Sequence, residues 1–229
     1  MVVTQRTTEP AGVVSWSAVD VVGPEARTFL QSQLTQDLGD VEVRSARSLL
    51  LEPDGTVVTA CFVSVHGDAF ELVVPSELAE IATARLRRFR LRARCDVSSH
   101  DHARGEYRTE GERIGDRWPG VAEFAAHLGP HAFGRRVLDA TVSFAKGCFT
   151  GQELVARLDA RGANVPWRLV QARGPAADAL DEYLRSSGPS GPSGVTSVVP
   201  VEDGVLALGF VHRSLLSHTP PEGITISAA

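Results

Sequence analysis

The chain has 229 residues, 43% hydrophobic and 22% charged, with a formal net charge of −5. At roughly 150 residues per domain this is one large domain or two unequal ones, long enough to bury a core without staples. The composition excludes a wholly disordered chain, and no run approaches the roughly 18 apolar residues of a membrane-spanning helix. The mild acidity argues against direct nucleic-acid binding. The first residues, MVVTQRTTEPAGVVSW, show no basic stretch followed by an apolar one, so a cytoplasmic location is expected. Cys61, Cys95 and Cys148 are widely separated and form no C-x-x-C pair, which removes the zinc knuckle and the thioredoxin-type dithiol and fits a reducing compartment.

Residues 13–22 are β-branched and bounded by Gly23-Pro24, which predicts a strand followed by a helix over 24–35 carrying Phe29, Leu30 and Leu34. Strands follow at 48–52, 56–65 and 69–74, joined by the turns Pro53-Asp54-Gly55 and His66-Gly67-Asp68. Ser76 is the expected N-cap of a helix over 77–89. From Phe89 to Val97 apolar residues alternate with arginines, reading as a strand, and 98–120 reads as a long loop or weak hairpin. A short helix is expected at 121–128, a strand at 136–144 and another at 165–172. The stretch 174–194 holds SSGPSGPSG and reads as a surface loop. A hairpin at 195–201 and 205–212 turns on Asp203-Gly204, and PPEGITIS could add a last strand. The pattern is α+β, with a small all-β module at the end.

The lone lysine of the chain, Lys146, lies in F-A-K-G-C-F-T-G-Q-E-L-V-A-R-L-D-A-R-G, residues 144–162. Thr150 and Glu153 have capping-box spacing, predicting a helix over about 151–161 closed by Gly162. Glu153 and Arg157 form an i,i+4 pair, and Leu154, Val155 and Leu158 supply the buried face. Cys148 then sits just before a helix N-terminus, close in sequence to Lys146. Both features favour its thiolate, making it the candidate reactive thiol. Gly147 and Gly151 are expected to let backbone approach a ligand.

K-G-C-F-T-G-Q-E with Arg157 and Arg161-Gly162 resembles the signature of the YgfZ family of folate-binding proteins. The resemblance extends to F-L-Q-S-Q-L-T-Q-D at 29–37, P-D-G-T-V at 53–57, R-L-R-R-F-R-L-R at 85–92, and V-T-S with A-L-G-F-V-H-R near the C-terminus. That family is similar in fold to the glycine cleavage T-protein, a tetrahydrofolate-dependent aminomethyltransferase. The resemblance implies a T-protein-like folate-binding domain of antiparallel sheets with helices over 1–163, shortened at about 98–143, and a small C-terminal β-barrel domain over 164–229. It implies tetrahydrofolate or a derivative as ligand, and support of iron–sulfur cluster assembly or repair, with iron–sulfur assembly machinery or client enzymes, including those that modify tRNA, as partners. Lys146, Gly147, Phe149, Gly151, Gln152, Glu153, Arg157, Gln33 and Thr35 are the implied folate or motif residues around Cys148, with Phe149 a candidate channel wall. Aminomethyltransferases carry an acidic pair aligned near Thr59 and Ala60; this chain has no carboxylate at either position, which argues for an accessory protein over a turnover enzyme. A folate-dependent one-carbon transferase or demethylase, and a degenerate interaction module without folate, are the alternatives. A monomer without a membrane partner is expected.

Other groupings are read as structural. Glu123, His127 and His131 have metal-ligand spacing, but Gly129-Pro130 breaks the helix between the histidines. His100-Asp101-His102 falls in the expected loop as solvated side chains, so no tightly bound metal is expected. The six arginines at 85, 87, 88, 90, 92 and 94 read as a solvated basic face, with a folate glutamate tail or a phosphate as the alternative. Cys61 and Cys95 read as core packing.

Overall fold

The computed structural model describes residues 12–39, 41, 45–102, 105–186 and 188–229. Most of the N-terminal stretch read against a leader, and small parts of the expected 98–120 and 174–194 loops, lie outside the described residues. No helix among the described residues is long and apolar enough to cross a membrane.

The chain opens with strand β1 (Trp16–Val22) and helix α1 (Ala26–Gln33), followed by the meander β2 (Ala46–Leu51), β3 (Val57–His66) and β4 (Ala69–Pro75). Helix α2 (Ser76–Phe89) leads to β5 (Asp96–His102). These strands make one antiparallel sheet in the order β2-β3-β4-β1-β5. Period-two alternation gives it two unlike faces. One carries Val19, Val21, Cys61, Val63, Leu72 and Val97 and packs on α1 and α2 through Leu30, Leu34 and Leu86. Each such large side chain contributes about 1.5–3 kcal/mol on burial. The other face is apolar at one end, where Trp16 and Val73 enter a second core, and polar at the other, where Asp20, Ser64 and Glu71 are half-buried.

Helix α2 begins without the expected cap. Ser76 is its first residue, and its hydroxyl accepts from Ser17 Oγ at 3.0 Å. The alternating run after Phe89 is not a strand either. Its first residue ends α2, and residues 90–95 form a turn in which Leu91 has φ 36° and is 87% exposed. The strand begins at Asp96, so His100 and His102 lie in β5 rather than in a loop.

Short helices α3 (Glu110–Gly115) and α4 (Val121–Phe124), a 3-10 turn (Pro130–Phe133) and α5 (Arg135–Thr141) follow. The expected strand at 136–144 is thus helical, because Val137, Leu138 and Thr141 fall on one face and are buried together. Helix α6 (Gln152–Ala160) carries the end of the K-G-C-F-T-G-Q-E run.

The C-terminal sheet contains β6 (Trp167–Gly174), β7 (Gly194–Val201), β8 (Gly204–His212) and β9 (Thr225–Ala228), in the order β7-β8-β6-β9. Among the described residues its outer strands β7 and β9 do not pair, so the expected barrel is an open four-stranded sheet. Helix α7 (Ala177–Arg185) occupies the first half of the expected 174–194 loop, with Leu180 and Leu184 buried one turn apart against β6 and β8. The module is therefore not all-β. One core cluster runs from Trp16 and Leu51 through Phe133 and Phe149 to Leu169 and Phe210. Packing thus continues across the 163/164 boundary.

Candidate functional site

Three sequence runs that are far apart in the chain meet around Cys148. The C-terminal end of α1 leaves carbonyls without helical partners. Lys146 fills that role, its Nζ donating to the carbonyls of Gln31 at 2.7 Å, Leu34 at 2.8 Å and Gln36 at 3.0 Å. A cation at a helix C-terminus also opposes the negative end of the helix dipole. Lys146 is only 8% exposed, and burial pushes its pKa down from the ordinary 10.5 to about 8, with Asp37 pulling the other way. Its three donors are all held by backbone carbonyls. The ring of Phe149 lies 5.5 Å from Nζ.

Thr150 joins the same clamp. Its backbone N–H donates to Ser32 O at 3.0 Å, and its hydroxyl faces Ser32 O and Gln33 Oε1, both at 3.4 Å. That hydroxyl is therefore not an N-cap. Gly151 occupies the N-cap position with φ 83°, no side chain caps α6, and Glu153 is left to Arg157 at 3.4 Å on the exposed face. A Cβ on Gly151 would stand 2.7 Å from the carbonyl oxygen of Glu52, and one on Gly55 would stand 2.9 Å from Leu154 Cβ. The close approach that Gly151 permits is thus to the β2–β3 turn, not to a ligand. A Cβ on Gly147 would meet nothing.

Gln33 and Thr35 are buried. Gln33 Oε1 accepts from Arg85 at 3.1 Å. The Thr35 hydroxyl donates to Thr141 O at 2.6 Å and accepts from Leu49 N at 2.9 Å. Gln152 Oε1 accepts from Phe149 N at 3.3 Å, and the Phe149 ring lies in the core rather than in a cavity wall. What this platform presents outward is Cys148. Its thiol is exposed and opens on a groove of about 470 Å³, lined also by Arg27, Gln31, Asp37 and Gly147. Gln31 and the Gly39 N–H hold the Asp37 carboxyl below its usual range, with a smaller contribution from Lys146. Cys61 and Cys95 are buried, and burial pushes the Cys61 thiol up to about 12.

A second cavity, of about 250 Å³, lies where the five-stranded sheet, the 110–124 segment and β7 meet. Its aromatic walls are Trp16, Phe62, Trp118 and Phe124, and its polar groups include Glu77, Glu110 and Arg113. Trp16 and Phe62 meet edge to face at 5.7 Å, and Phe62 stacks on Trp118 at 6.1 Å. Ala60 lies in the lining, whereas Thr59 is fully buried. Arg113 is fixed by Glu110, by Trp118 O at 2.8 Å, by Ser197 Oγ at 2.8 Å and by Glu123 at 2.9 Å. Glu123 also accepts from Gly120 N at 2.7 Å, Ser197 Oγ at 2.7 Å and Thr196 Oγ1 at 2.5 Å. Burial alone would raise its carboxyl, but Arg113, the two hydroxyls and the Gly120 N–H hold it below the usual range. None of the expected site residues lines this cavity. Its polar groups were missed because they carry no local spacing signal; only the fold brings them together.

The remaining groupings separate. Glu123 is committed to Arg113, His127 has φ 51° beyond the end of α4, and His131 is buried in the 3-10 turn. The arginines are largely paired within the chain: Arg85 is buried on Leu51 O at 2.7 Å, Arg87 holds Val97 O at 2.8 Å, Arg88 meets Glu52 at 2.8 Å, and Arg94 meets Glu25 at 2.8 Å. They form no continuous free basic face.

No protein-family model matches the chain, and no curated protein matches it. Solved structures do. The chain is similar to the crystal structure of the glycine cleavage system aminomethyltransferase T from Bartonella henselae, with a TM-score of 0.56 and 15% identity over 95% of this chain and 86% of that one. At that identity the likeness is one of architecture: the chain has an aminomethyltransferase T-like fold of antiparallel sheets and helices.

Proposed function

We propose that the chain is a tetrahydrofolate-binding accessory protein that supports iron–sulfur cluster assembly or repair, with Cys148 as its working thiol. The aromatic crevice at the junction of the two sheets carries the folate part of this reading. Flat walls from Trp16, Phe62 and Trp118 suit a pterin face, and the carboxylates of Glu77 and Glu110 offer polar anchors to its edge, Arg113 holding Glu110 in place. At about 250 Å³ the crevice suits the bicyclic head. It falls below the roughly 300–1,000 Å³ usual for a whole drug-sized ligand, so the tail would extend into solvent. The likeness in fold to an aminomethyltransferase supports this assignment. The iron–sulfur role rests on the resemblance of the Cys148 run to the YgfZ signature and on the exposure of that thiol.

Anaerobic calorimetry with tetrahydrofolate tests the ligand. Micromolar saturable binding, roughly −8 kcal/mol, is expected, and it should weaken at least tenfold in W118A. No heat across several temperatures, or equal binding by W118A, would overturn the folate assignment. C148S should fold normally, bind tetrahydrofolate and fail to restore iron–sulfur enzyme activity in a deficient host; full restoration would remove the thiol from the function.

A one-carbon transferase is the second reading, favoured by the presence of Glu77 and Glu110 in the crevice. A methylene- or formyl-tetrahydrofolate product formed from an amine donor would establish it.

A further inference from the structure

We infer that the uncovered half of the five-stranded sheet holds a binding site for a divalent transition-metal cation, built from Glu71, His100 and His102. Each residue offers one ligand atom, and the three atoms lie within 4.8 Å of one another. The strands fix this arrangement. Glu71 in β4 lies opposite Asp20 in β1, while His100 and His102 lie opposite Ala18 and Trp16 from the other side of β1. All four polar side chains therefore project from one face of the sheet.

Two further groups close around the set. Asp20 Oδ2 lies 3.1 Å from His100 Nδ1, near enough to serve as a fourth ligand or to orient the ring. The two Glu71 oxygens face His102 Nδ1 at 3.7 Å and His66 Nε2 at 3.6 Å. Three of the chain's seven histidines thus converge on one sheet face around two carboxylates. Imidazole with carboxylate is a donor set that suits zinc and its neighbours better than magnesium or calcium.

The sheet also has a reason to bind a cation here. Asp20 and Glu71 are directly opposite in the register, and like charges so placed repel. A dication between them removes that repulsion. Zinc bound at about 2.0–2.2 Å in a tetrahedron sets its ligands roughly 3.4 Å apart. Closing from 4.8 Å takes side-chain rotation of about an ångström, and the half-exposed His100, 52% accessible, has room for it. The site is separate from both Cys148 and the aromatic crevice and does not depend on what either binds.

The test uses the full, tag-free chain stripped with a chelator and titrated with Zn²⁺ against a chromophoric competitor. One Zn²⁺ per chain is expected, bound at least tenfold more weakly by H100A/H102A and by E71Q, and unchanged in C148S. Co²⁺ should give tetrahedral visible absorption that the double variant loses. If H100A/H102A melts early without metal, E71Q decides. Equal Zn²⁺ affinity and stoichiometry in the wild type and E71Q, or no Zn²⁺ binding by the wild type, would overturn the site.

Discussion

Replacing Lys146 by Met keeps most of the buried stem and removes the charge and its three donors. The structure sets the size of the effect. Each hydrogen bond from a charged donor contributes about 1.5–3 kcal/mol, so three bonds to the carbonyls of Gln31, Leu34 and Gln36 give about 5–9 kcal/mol gross. Against them stands the burial of the ammonium. The fall in pKa from 10.5 to about 8 corresponds to about 3 kcal/mol. A net loss of about 2–6 kcal/mol is expected for K146M, read by urea unfolding at pH 7. For a chain of this size that lowers Tm by about 4–24 °C. The pH dependence has a definite sign. This lysine titrates near pH 8 when folded and near 10.5 when unfolded, so between these values the unfolded chain binds more protons. Wild-type stability from this group therefore rises with pH in that window, and its advantage over K146M should widen there. A variant as stable as the wild type at pH 7, or an advantage that shrinks from pH 8 to 10, would refute the reasoning. If Lys146 instead serves the thiol, K146M will slow alkylation of Cys148 and leave unfolding unmoved.

E123A should lose about 3–5 kcal/mol, because it removes one of the two carboxylates that compensate the buried Arg113 and leaves the Gly120 N–H, Thr196 and Ser197 without their acceptor; denaturant midpoints with an unchanged m-value would establish this. With its carboxyl held low, Glu123 contributes stability that is present above the unfolded carboxyl range near pH 4.3 and lost as pH falls through the lower folded value. An acid titration of unfolding should therefore be flatter below pH about 4 in E123Q than in the wild type. G151A should destabilise by at least about 1–3 kcal/mol, since φ is 83° and its Cβ meets Glu52 O at 2.7 Å. G147A, whose Cβ meets nothing, should cost under about 1 kcal/mol; equal losses would contradict the packing. Iodoacetamide on the native chain should label one of the three thiols, Cys148, leaving buried Cys61 and Cys95 until denaturant is added, as read by peptide mass spectrometry.

Local pattern was enough for the elements whose partners are close in sequence. The meander β2–β4 followed from its turn residues, and α1 from Phe29, Leu30 and Leu34. The failures share a cause. In Phe89–Val97 the alternation mimicked a strand, but the arginines there belong to the end of α2 and the turn after it and bind back to backbone, Arg87 of α2 to Val97 O and Arg90 of the turn to Cys95 O. Val137, Thr141 and Val142 raised strand propensity at 136–144, yet a helix buries Val137, Leu138 and Thr141 together, and packing overrides propensity. Helix α7 was hidden beside a Gly/Pro/Ser run that dominated the local composition. The capping box failed because Ser32 and Gln33, more than a hundred residues away, take the Thr150 hydroxyl. The same non-locality hid the crevice, where Glu110 and Arg113 meet Ser197 only through the fold.

The motif residues divide into two groups by the direction they face. Lys146, Phe149, Gly151 and Gln152 face inward and, with Thr150, Gln33 and Thr35, clamp α1, the β2–β3 turn and α6 into one block. Cys148, Gly147, Glu153 and Arg157 face outward. An inward residue is constrained by the carbonyl or backbone it must reach, so it can recur among related chains without touching any ligand. The sequence run is thus a specification for a platform first, and only its outward residues can carry chemistry. This explains why a motif read as a ligand site lies apart from the aromatic crevice. The platform holds the thiol at the surface while the crevice, built by other residues, is free to bind a flat molecule. On the proposed reading, the crevice would take the small ligand and the Cys148 face the protein-borne partner, so that C148S and W118A should separate the two roles.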